Sequence, residues 1–370
     1  MSINNNLSEK ELKYWVALST FLKFGTKRFL YLQSHFPNME TAYNATVAEL
    51  IKARIPENVA LEFIEHRKKI NPDKEMEKLA AENIKFFLLS SQNYPALLKQ
   101  IYNPPPILYY KGDFSNQKNY CLAVVGARKH SLYGQRAAEH IIKDCVAAGL
   151  TIVSGLALGI DAISHKAVID NGGKTIAVLG SGINSDAVYP ANNRRLAQDI
   201  IQNGGALFSE FPFGTPALKH HFPQRNRIIA GLSLGALIVE ASQKSGSLIT
   251  ARYSLEYNRE VFAIPGSIFN DSAKGVNKLI KEGAKLTESA DDILTELGLE
   301  HIKQETQIKK LLPDNENEKK IFNILGSENL HINQITKLAK LDTSVVNATL
   351  LTMELKGLIK NLGGGNYLLA

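Results

Sequence analysis

Cysteine is scarce: Cys121 and Cys145 are the only two in 370 residues, each inside an apolar run (CLAVV and DCVAAG). Two isolated thiols make neither a disulfide framework nor a zinc ligand set, and they fit a reducing, cytoplasmic compartment. No stretch of about 18 uncharged apolar residues occurs, so no membrane-spanning helix and no membrane partner are expected. The opening MSINNNLSEKELKYW lacks a cationic segment followed by an apolar run, so no secretory leader is expected. Repeats of fixed period and low-complexity tracts are missing too, which sets aside solenoids and biased, disordered tracts. The chain has no G-x-G-x-x-G dinucleotide fingerprint and no Gly-Lys-Ser/Thr of a Walker loop. The adjacent His220 and His221 have no Cys or carboxylate completing a ligand set, so no metal and no cofactor are expected.

What is present is an ordinary globular composition. Hydrophobic residues are 44% and charged residues 21%, and the length predicts two to three domains. Lys plus Arg number 43 against 36 Asp plus Glu, a net charge of +7 that only mildly favours a polyanionic partner. The excess is uneven. Residues 1–118 carry 16 cationic against 12 acidic side chains, residues 119–300 carry 18 against 17, and residues 301–370 carry 9 against 7. A nearly neutral middle region must concentrate its positive charge if it is to bind an anion.

The texture divides the chain. Residues 1–80 read as a small all-α domain of short helices, opened by a capping-box spacing of Ser8 and Glu11. KFFLL and ILYYKG read as short strands around Asn103-Pro104-Pro105-Pro106. From Tyr120 onward, apolar strands (CLAVVG, TIVSG, TIAVLG, ALFSE, GALIVEA, VFAIPG) alternate with amphipathic helices. That pattern predicts an α/β domain over 81–300, a doubly wound parallel sheet covered on both faces. Its ligand crevice should lie at the carboxyl ends of the strands. Residues 301–317 read as a linker. Residues 318–370 read as three helices and a hairpin with a Gly-Gly-Gly tip, a winged-helix unit.

Five motifs fall on the strand ends. Gly126-Ala127-Arg128 brings a backbone turn and a guanidinium suited to phosphate, or an arginine that only caps the strand. Ser154-Gly155 with Gly159 and Asp161 opens a turn before a helix carrying His165. The Asp161/His165 spacing reads as acid–base chemistry or, more simply, as capping and packing, and no nucleophile accompanies it. Gly180 and Gly182, before Tyr189-Pro190-Ala191-Asn192-Asn193, make a further backbone cradle, with Asn192 as a helix cap. The segment Lys219-His220-His221-Phe222-Pro223-Gln224-Arg225-Asn226-Arg227 packs three cations and a ring into nine residues. Cations that track a backbone and a ring that stacks on a base are what single-stranded nucleic acid needs. Phe222 in a core and arginines paired with carboxylates are the plainer alternatives. Last, Lys244-Ser245-Gly246-Ser247 forms a strand-to-helix turn able to hold an anion.

In this order the stretches VVGARKHSLYG, IVSGLALGIDAISH, TIAVLGSGINSDAVYPANN, LFSEFPFG, FPQRNRIIAGLS, IVEASQKSGSLITA, VFAIPG and KGVNKLIKEGA resemble the DNA-processing DprA (Smf) family. The match is dense over residues 85 to about 290. The resemblance implies an extended Rossmann-like fold that binds single-stranded DNA, loads the recombinase RecA onto it and protects incoming strands during natural transformation. It implies a homodimer and no catalytic turnover. It places the family's binding positions on Arg128, Lys219 and Phe222, with Arg225 and Arg227, in one positively charged pocket.

The chain also departs from the family. Gly-Ala-Arg stands where Gly-Ser-Arg is common. The N-terminal helices resemble a sterile-alpha-motif or helix-hairpin-helix unit, but the expected glycine hairpin is reduced to Phe24-Gly25-Thr26, so no DNA binding is expected there. The third helix of the winged unit offers few basic residues, which favours protein contact or regulation over major-groove reading. Two competing functions remain. A lysine-decarboxylase-like phosphoribohydrolase would need Pro-Gly-Gly-x-Gly-Thr, and Pro265-Gly266-Ser267 ends that pattern early. A duplex-binding transcription factor would rest on the winged helix alone.

Overall fold

Short apolar runs and their spacing determine the architecture of the computed structural model, which describes residues 9–114, 120–300, 313, 315–326 and 329–369. Six helices come first: α1 (Glu9–Ser19), α2 (Thr26–His35), α3 (Met39–Asn44), α4 (Val47–Lys52), α5 (Glu57–Arg67) and α6 (Pro72–Ala81). Their starts follow local chemistry. Asn38 accepts Thr41 N, Thr46 and Glu49 form a capping box, and Asn71 caps a helix that begins with Pro72. β1 (Lys85–Leu88), the short α7 (Ala96–Lys99) and β2 (Ile107–Gly112) follow.

Then comes the alternation expected from the sequence. β3 (Cys121–Val125), α8 (Leu132–Ala147), β4 (Thr151–Ser154), α9 (Ile160–Asp170), β5 (Thr175–Val178), α10 (Arg194–Gln202) and β6 (Ala206–Ser209) come first. α11 (His221–Leu232), β7 (Gly235–Ile238), α12 (Ser247–Glu256), β8 (Glu260–Ala263), α13 (Lys274–Lys281), β9 (Lys285–Leu286) and α14 (Ala290–Glu296) complete it. β3 to β7 are buried along their whole length, as strands covered on both faces must be.

The nine strands lie in the order β1-β2-β6-β5-β4-β3-β7-β8-β9. β3 to β9 pair in parallel, whereas β1 with β2 and β2 with β6 pair antiparallel. The doubly wound sheet therefore extends on one edge by two antiparallel strands that the alternation pattern alone does not place. β3 has β4 on one side and β7 on the other, so chain order reverses there. The carboxyl ends of β3 and β7 lie side by side at this switch point, where α/β sheets hold their ligands.

The core crosses residue 80, the boundary expected from sequence. Residues 1–298 form one compact unit and 299–370 a second. Successive residues of β1 and β2 point to opposite faces. Phe86, Leu88, Ile107 and Tyr109 join Trp15, Phe29 and Phe63 of the N-terminal helices, while Phe87, Leu108 and Tyr110 join Val125, Phe208 and Ile238. The Tyr109 hydroxyl and Ser19 Oγ, 2.6 Å apart, add a buried hydrogen bond between sheet and helix. Cys121 and Cys145 are buried thiols pushed up to about 12 by burial, which makes them unreactive.

The second unit contains α15 (Glu316–Leu325), β10 (Leu330–His331), α16 (Ile332–Ala339), α17 (Thr343–Leu355), β11 (Ile359–Gly363) and β12 (Asn366–Leu369). Its sheet order β10-β12-β11 completes a winged helix around Ile321, Ile335, Val346 and Leu350. Of the expected linker, residues 301–312 and 314 lie outside the described residues. Among those described, no helix is long and apolar enough to cross a membrane.

His165 belongs to this framework. It is fully buried in α9, with Nδ1 2.7 Å from Thr175 Oγ1 of β5, and burial, reinforced by the Arg225 charge, pushes its imidazole down to about 3. An unfolded chain takes up this proton below about pH 6.5, whereas the folded chain refuses it until about pH 3. The residue therefore removes stability as pH falls through that window. Urea unfolding at pH 7 and pH 5 should show an acid loss smaller by about 2 kcal/mol in His165→Gln than in the wild type. Equal losses would mean that His165 is not held neutral.

Candidate nucleic-acid interface

The ends of β3, β4 and β5 meet α11 beside the switch point, and the turn after β7 completes the crevice. After β3, the chain turns at Gly126, which admits the side chain of Ile160, and places Arg128 on the surface. Ser131 caps α8 by accepting Gly134 N at 3.0 Å. Glu240, buried just beyond β7, accepts Ser131 N at 2.9 Å and Ser272 Oγ at 2.6 Å. One buried carboxylate thus ties together the loops that follow β3, β7 and β8.

The turn after β4 is strained. Leu156, an apolar residue, has φ 56°, and Gly159 has φ 81° with space for no side chain: a Cβ there would lie 2.3 Å from Ala127 O. Left-handed backbone at a non-glycine residue costs about 1–3 kcal/mol and persists only where surrounding contacts impose it. Those contacts are present. Asn193 Nδ2 donates to Leu156 O at 2.8 Å, and buried Asp161 accepts Gly155 N at 3.1 Å and Ala157 N at 3.4 Å. Asn192, expected as a helix cap, is not the residue before α10; Asn193 stands there, and its side chain ties this turn instead of capping the helix. Asp161 and His165 sit on one helix but face different partners, Gly155 and Thr175, so they form no acid–base pair.

α11 explains the cationic segment. The helix begins at His221, so Phe222, Arg225 and Asn226 share one face, while Arg227 lies more than a quarter-turn away. Phe222 is half-buried, its ring against Gly180 and 5.6 Å from the ring of half-exposed Tyr189. The Arg128 guanidinium stands 5.5 Å from the centre of the same Phe222 ring, within cation–π range. Lys219, just before the helix, is exposed.

The two arginines of the segment are buried, which follows the alternative of pairing with carboxylates and not that of surface cations. Arg225 is buried; Nη1 donates to Gly155 O at 2.6 Å and to Val178 O, and Nε donates to Asn226 Oδ1 at 3.1 Å. Burial pulls its guanidinium down to about 10 against the opposing pull of Asp161, and burial raises the Asp161 carboxyl against the pull of Arg225. Arg227 points to the other side of the helix. There it pairs with the largely covered Glu210 at 2.6 Å and lines a separate cavity of about 200 Å³ beside Ser19, Thr26 and Asn103. The single pocket containing Arg128, Lys219, Arg225 and Arg227 is therefore corrected, because helical periodicity sends Arg227 away.

The crevice itself encloses about 550 Å³, within the usual range for ligand sites. Of the residues expected from sequence, Gly126, Arg128, Lys219, Phe222, Arg225, Asn226, Ser245, Gly246 and Ser247 line it. Gly155 and Gly180 stand behind it, leaving room for Arg225 and Phe222. Ser154 is buried and donates to Val124 O, Gly182 donates to Thr215 O, and Lys244 is exposed but not among the lining residues. Ser154, Gly159 and Gly182 shape turns and do not face a ligand. Tyr189, Asp161, Ile249 and Thr250 line the crevice as well. Tyr189 and Thr250 were visible in their motifs, but nothing in sequence spacing directs a tyrosine or a threonine toward a particular side.

Comparison with known proteins shows what the chain resembles. The family model described as DNA recombination-mediator protein A matches residues 85–298, and that of the DprA winged helix domain matches residues 309–365. A protein Smf from Synechocystis sp. is 33% identical over 398 residues, covering 98% of this chain and 99% of its own. The crystal structure of DNA processing protein A from Streptococcus pneumoniae matches with TM-score 0.63 and 37% identity, covering 80% of this chain and 99% of its own. DNA processing protein A from Helicobacter pylori, described for its single-stranded DNA binding mode, matches with TM-score 0.51 and 28% identity over 58% of this chain and 95% of its own.

The two kinds of arginine are separable by stability. Arg225→Met leaves Asp161 buried without its cation and should lower the urea-unfolding free energy by about 3–5 kcal/mol. Arg128→Ala, at the surface, should stay within about 0.5 kcal/mol. Equal effects would contradict the assignment of Arg225 as an internal strut.

Proposed function

The chain belongs to the DNA recombination-mediator protein A (DprA, Smf) family, and on that premise we propose that it binds single-stranded DNA in the crevice between β3 and β7. The observation that carries this reading is the grouping of Arg128 and Lys219 around the Phe222 ring at the crevice mouth. Two cations suit successive phosphates, and a partly exposed ring offers a base a sequence-tolerant stacking surface. The buried arginine and the turn glycines set the geometry, while the exposed groups make the contacts. The proposal extends to the strand's later use: as a homodimer, the protein loads RecA onto the bound strand and shields incoming DNA during natural transformation. Relatives named for DNA processing and recombination mediation support that extension.

Fluorescence anisotropy with a labelled oligothymidylate tests the site. Affinity should fall with salt at a log–log slope of about −0.7 per phosphate contact, and Arg128→Ala and Lys219→Ala should each make the slope shallower by about that amount. Phe222→Ala should weaken binding by about 1–3 kcal/mol and leave the slope unchanged. Wild-type affinity in all three variants would remove the site. Assembly of RecA filaments on strands precoated with single-strand-binding protein, with and without this chain, tests the loading step; equal rates would remove it.

A further inference from the structure

A second concavity begins where the loop between β3 and α8 leaves the crevice. Arg128 lines the crevice, and His130, two residues on, lines a groove of about 680 Å³ between α8 and α9. Lys129 is exposed between them. Both helices start from the carboxyl ends of their strands, β3 and β4, so the groove runs away from the crevice along one face of the sheet domain.

Helical spacing builds its walls. On α8, Arg136, His140 and Lys143 follow one another at about one turn, and Arg136 and Lys143 stand about 10 Å apart along the axis. On α9, Lys166 lines the opposite wall, and half-buried Ile163 and buried Ala167 form the floor.

The cations of this groove are not used inside the fold. Lys143 is four residues from Glu139 and Lys166 four residues from Asp170, the spacing at which Arg252 pairs with Glu256 and Lys278 with Glu282. Among the described residues, Arg136, Lys143 and Lys166 nevertheless form no ion pair. Glu139 accepts from Gln135 Nε2 at 2.8 Å instead. Three exposed cations are thus left for an external anion, in contrast to Arg227, which is matched by Glu210.

The groove suits an extended polyanion better than a protein or a compact anion. A protein anchor is a large apolar or aromatic side chain desolvated in a pocket, and no Phe, Tyr or Trp lines this groove. A compact anion needs convergent donors, whereas these cations are strung along two helices. A sugar–phosphate backbone, with its charges repeated along its length, meets both conditions.

We propose that the groove between α8 and α9 carries the single strand onward from the crevice, with Arg136, Lys143 and Lys166 against its phosphates and its bases turned to solvent. The inference rests on the single-stranded DNA reading above and extends it: a stretch of strand bound by charge alone follows the stretch held by Phe222.

Oligothymidylates of about 4 and about 16 nucleotides separate the crevice from the groove by length. Each is titrated by fluorescence anisotropy against the full chain and an Arg136→Gln/Lys143→Gln/Lys166→Gln variant, at about 50 and 200 mM salt. For the longer strand, three lost contacts of about −0.7 each should make the variant's log–log slope shallower by about 2, so the added salt costs the wild type about 20-fold more affinity than it costs the variant. The short strand should bind both proteins equally. Asp170→Asn, which removes an acid from the groove, should tighten the longer strand alone by about two- to fivefold. An unchanged slope in the triple variant, or a longer strand that binds the wild type no more tightly than the short one, overturns the groove and leaves the crevice reading standing. If the triple variant loses both strands alike, Asp170→Asn decides: tightening confined to the longer strand upholds the groove, and unchanged binding overturns it. A wild-type protein that binds neither strand overturns both readings.

Discussion

The crevice depends on one buried cation. The Arg225 guanidinium reaches the carbonyls at the ends of β4 and β5, Gly155 and Val178, and touches Asn226 on its own helix. Asp161, which balances its charge, holds the amides of Gly155 and Ala157. Carbonyls at strand ends have no partner in the sheet, and leaving them buried and unpaired would cost about 1–3 kcal/mol each. Arg225 satisfies two of them and fixes α11 against the strand ends at the same time. The close approach is possible because residue 155 is glycine; a Cβ there would lie 2.6 Å from the guanidinium. The strained Leu156 and Gly159 follow from the same constraint, since the turn must pass around the Arg225–Asp161 pair and still return into α9.

Much of the sheet was legible from sequence because fully apolar runs of this length, separated by amphipathic segments, have few other uses. The winged helix was legible for a related reason: three short periodic segments and a Gly-Gly-Gly tip leave little choice of topology. The direction of individual side chains was not legible. Lys219–Arg227 reads as a continuous cationic stretch, yet the helix starting at His221 distributes it over two faces, and only a residue-level start point reveals that. Charge alone also could not separate Arg128 from Arg225. Arg128 follows the Gly126 turn after β3 and Arg225 lies within α11, and what distinguishes them is the buried carboxylate beside Arg225, which is 64 positions away in the chain.

The near-neutrality of residues 119–300 is consistent with this division. Two of the cations in the Lys219–Arg227 segment are matched by acids inside the fold, Arg225 by Asp161 and Arg227 by Glu210. Their charge is spent on architecture and contributes little to a long-range field. What reaches a strand is the local field of the rim residues, which a low-dielectric crevice focuses and a total charge does not measure. The winged helix follows the opposite logic. α17, the helix such units usually present to a DNA groove, contains no Lys or Arg and exposes Leu351 and Leu355. A surface of that kind is poorly suited to phosphates, so the second unit need not share the function of the first.

α11 is therefore best understood as a beam fixed on both sides. One face carries Phe222, Arg225 and Asn226 to the crevice, and the other carries Arg227 to Glu210 and to the cavity beside Ser19 and Thr26 of the N-terminal helices. Phe211 stacks on His221 at 4.1 Å between ring centres, so the first turn of the helix is held from the β6 side as well. A helix in this position cannot rotate to relieve strain at one face without breaking buried polar contacts on the other, and breaking a buried pair costs about 3–5 kcal/mol. Phe222 is consequently presented from a rigid element, whereas Arg128 and Lys219 reach from loops. Rigidity suits the group that must meet a flat base at stacking distance, and freedom suits the cations, which have to follow a flexible backbone.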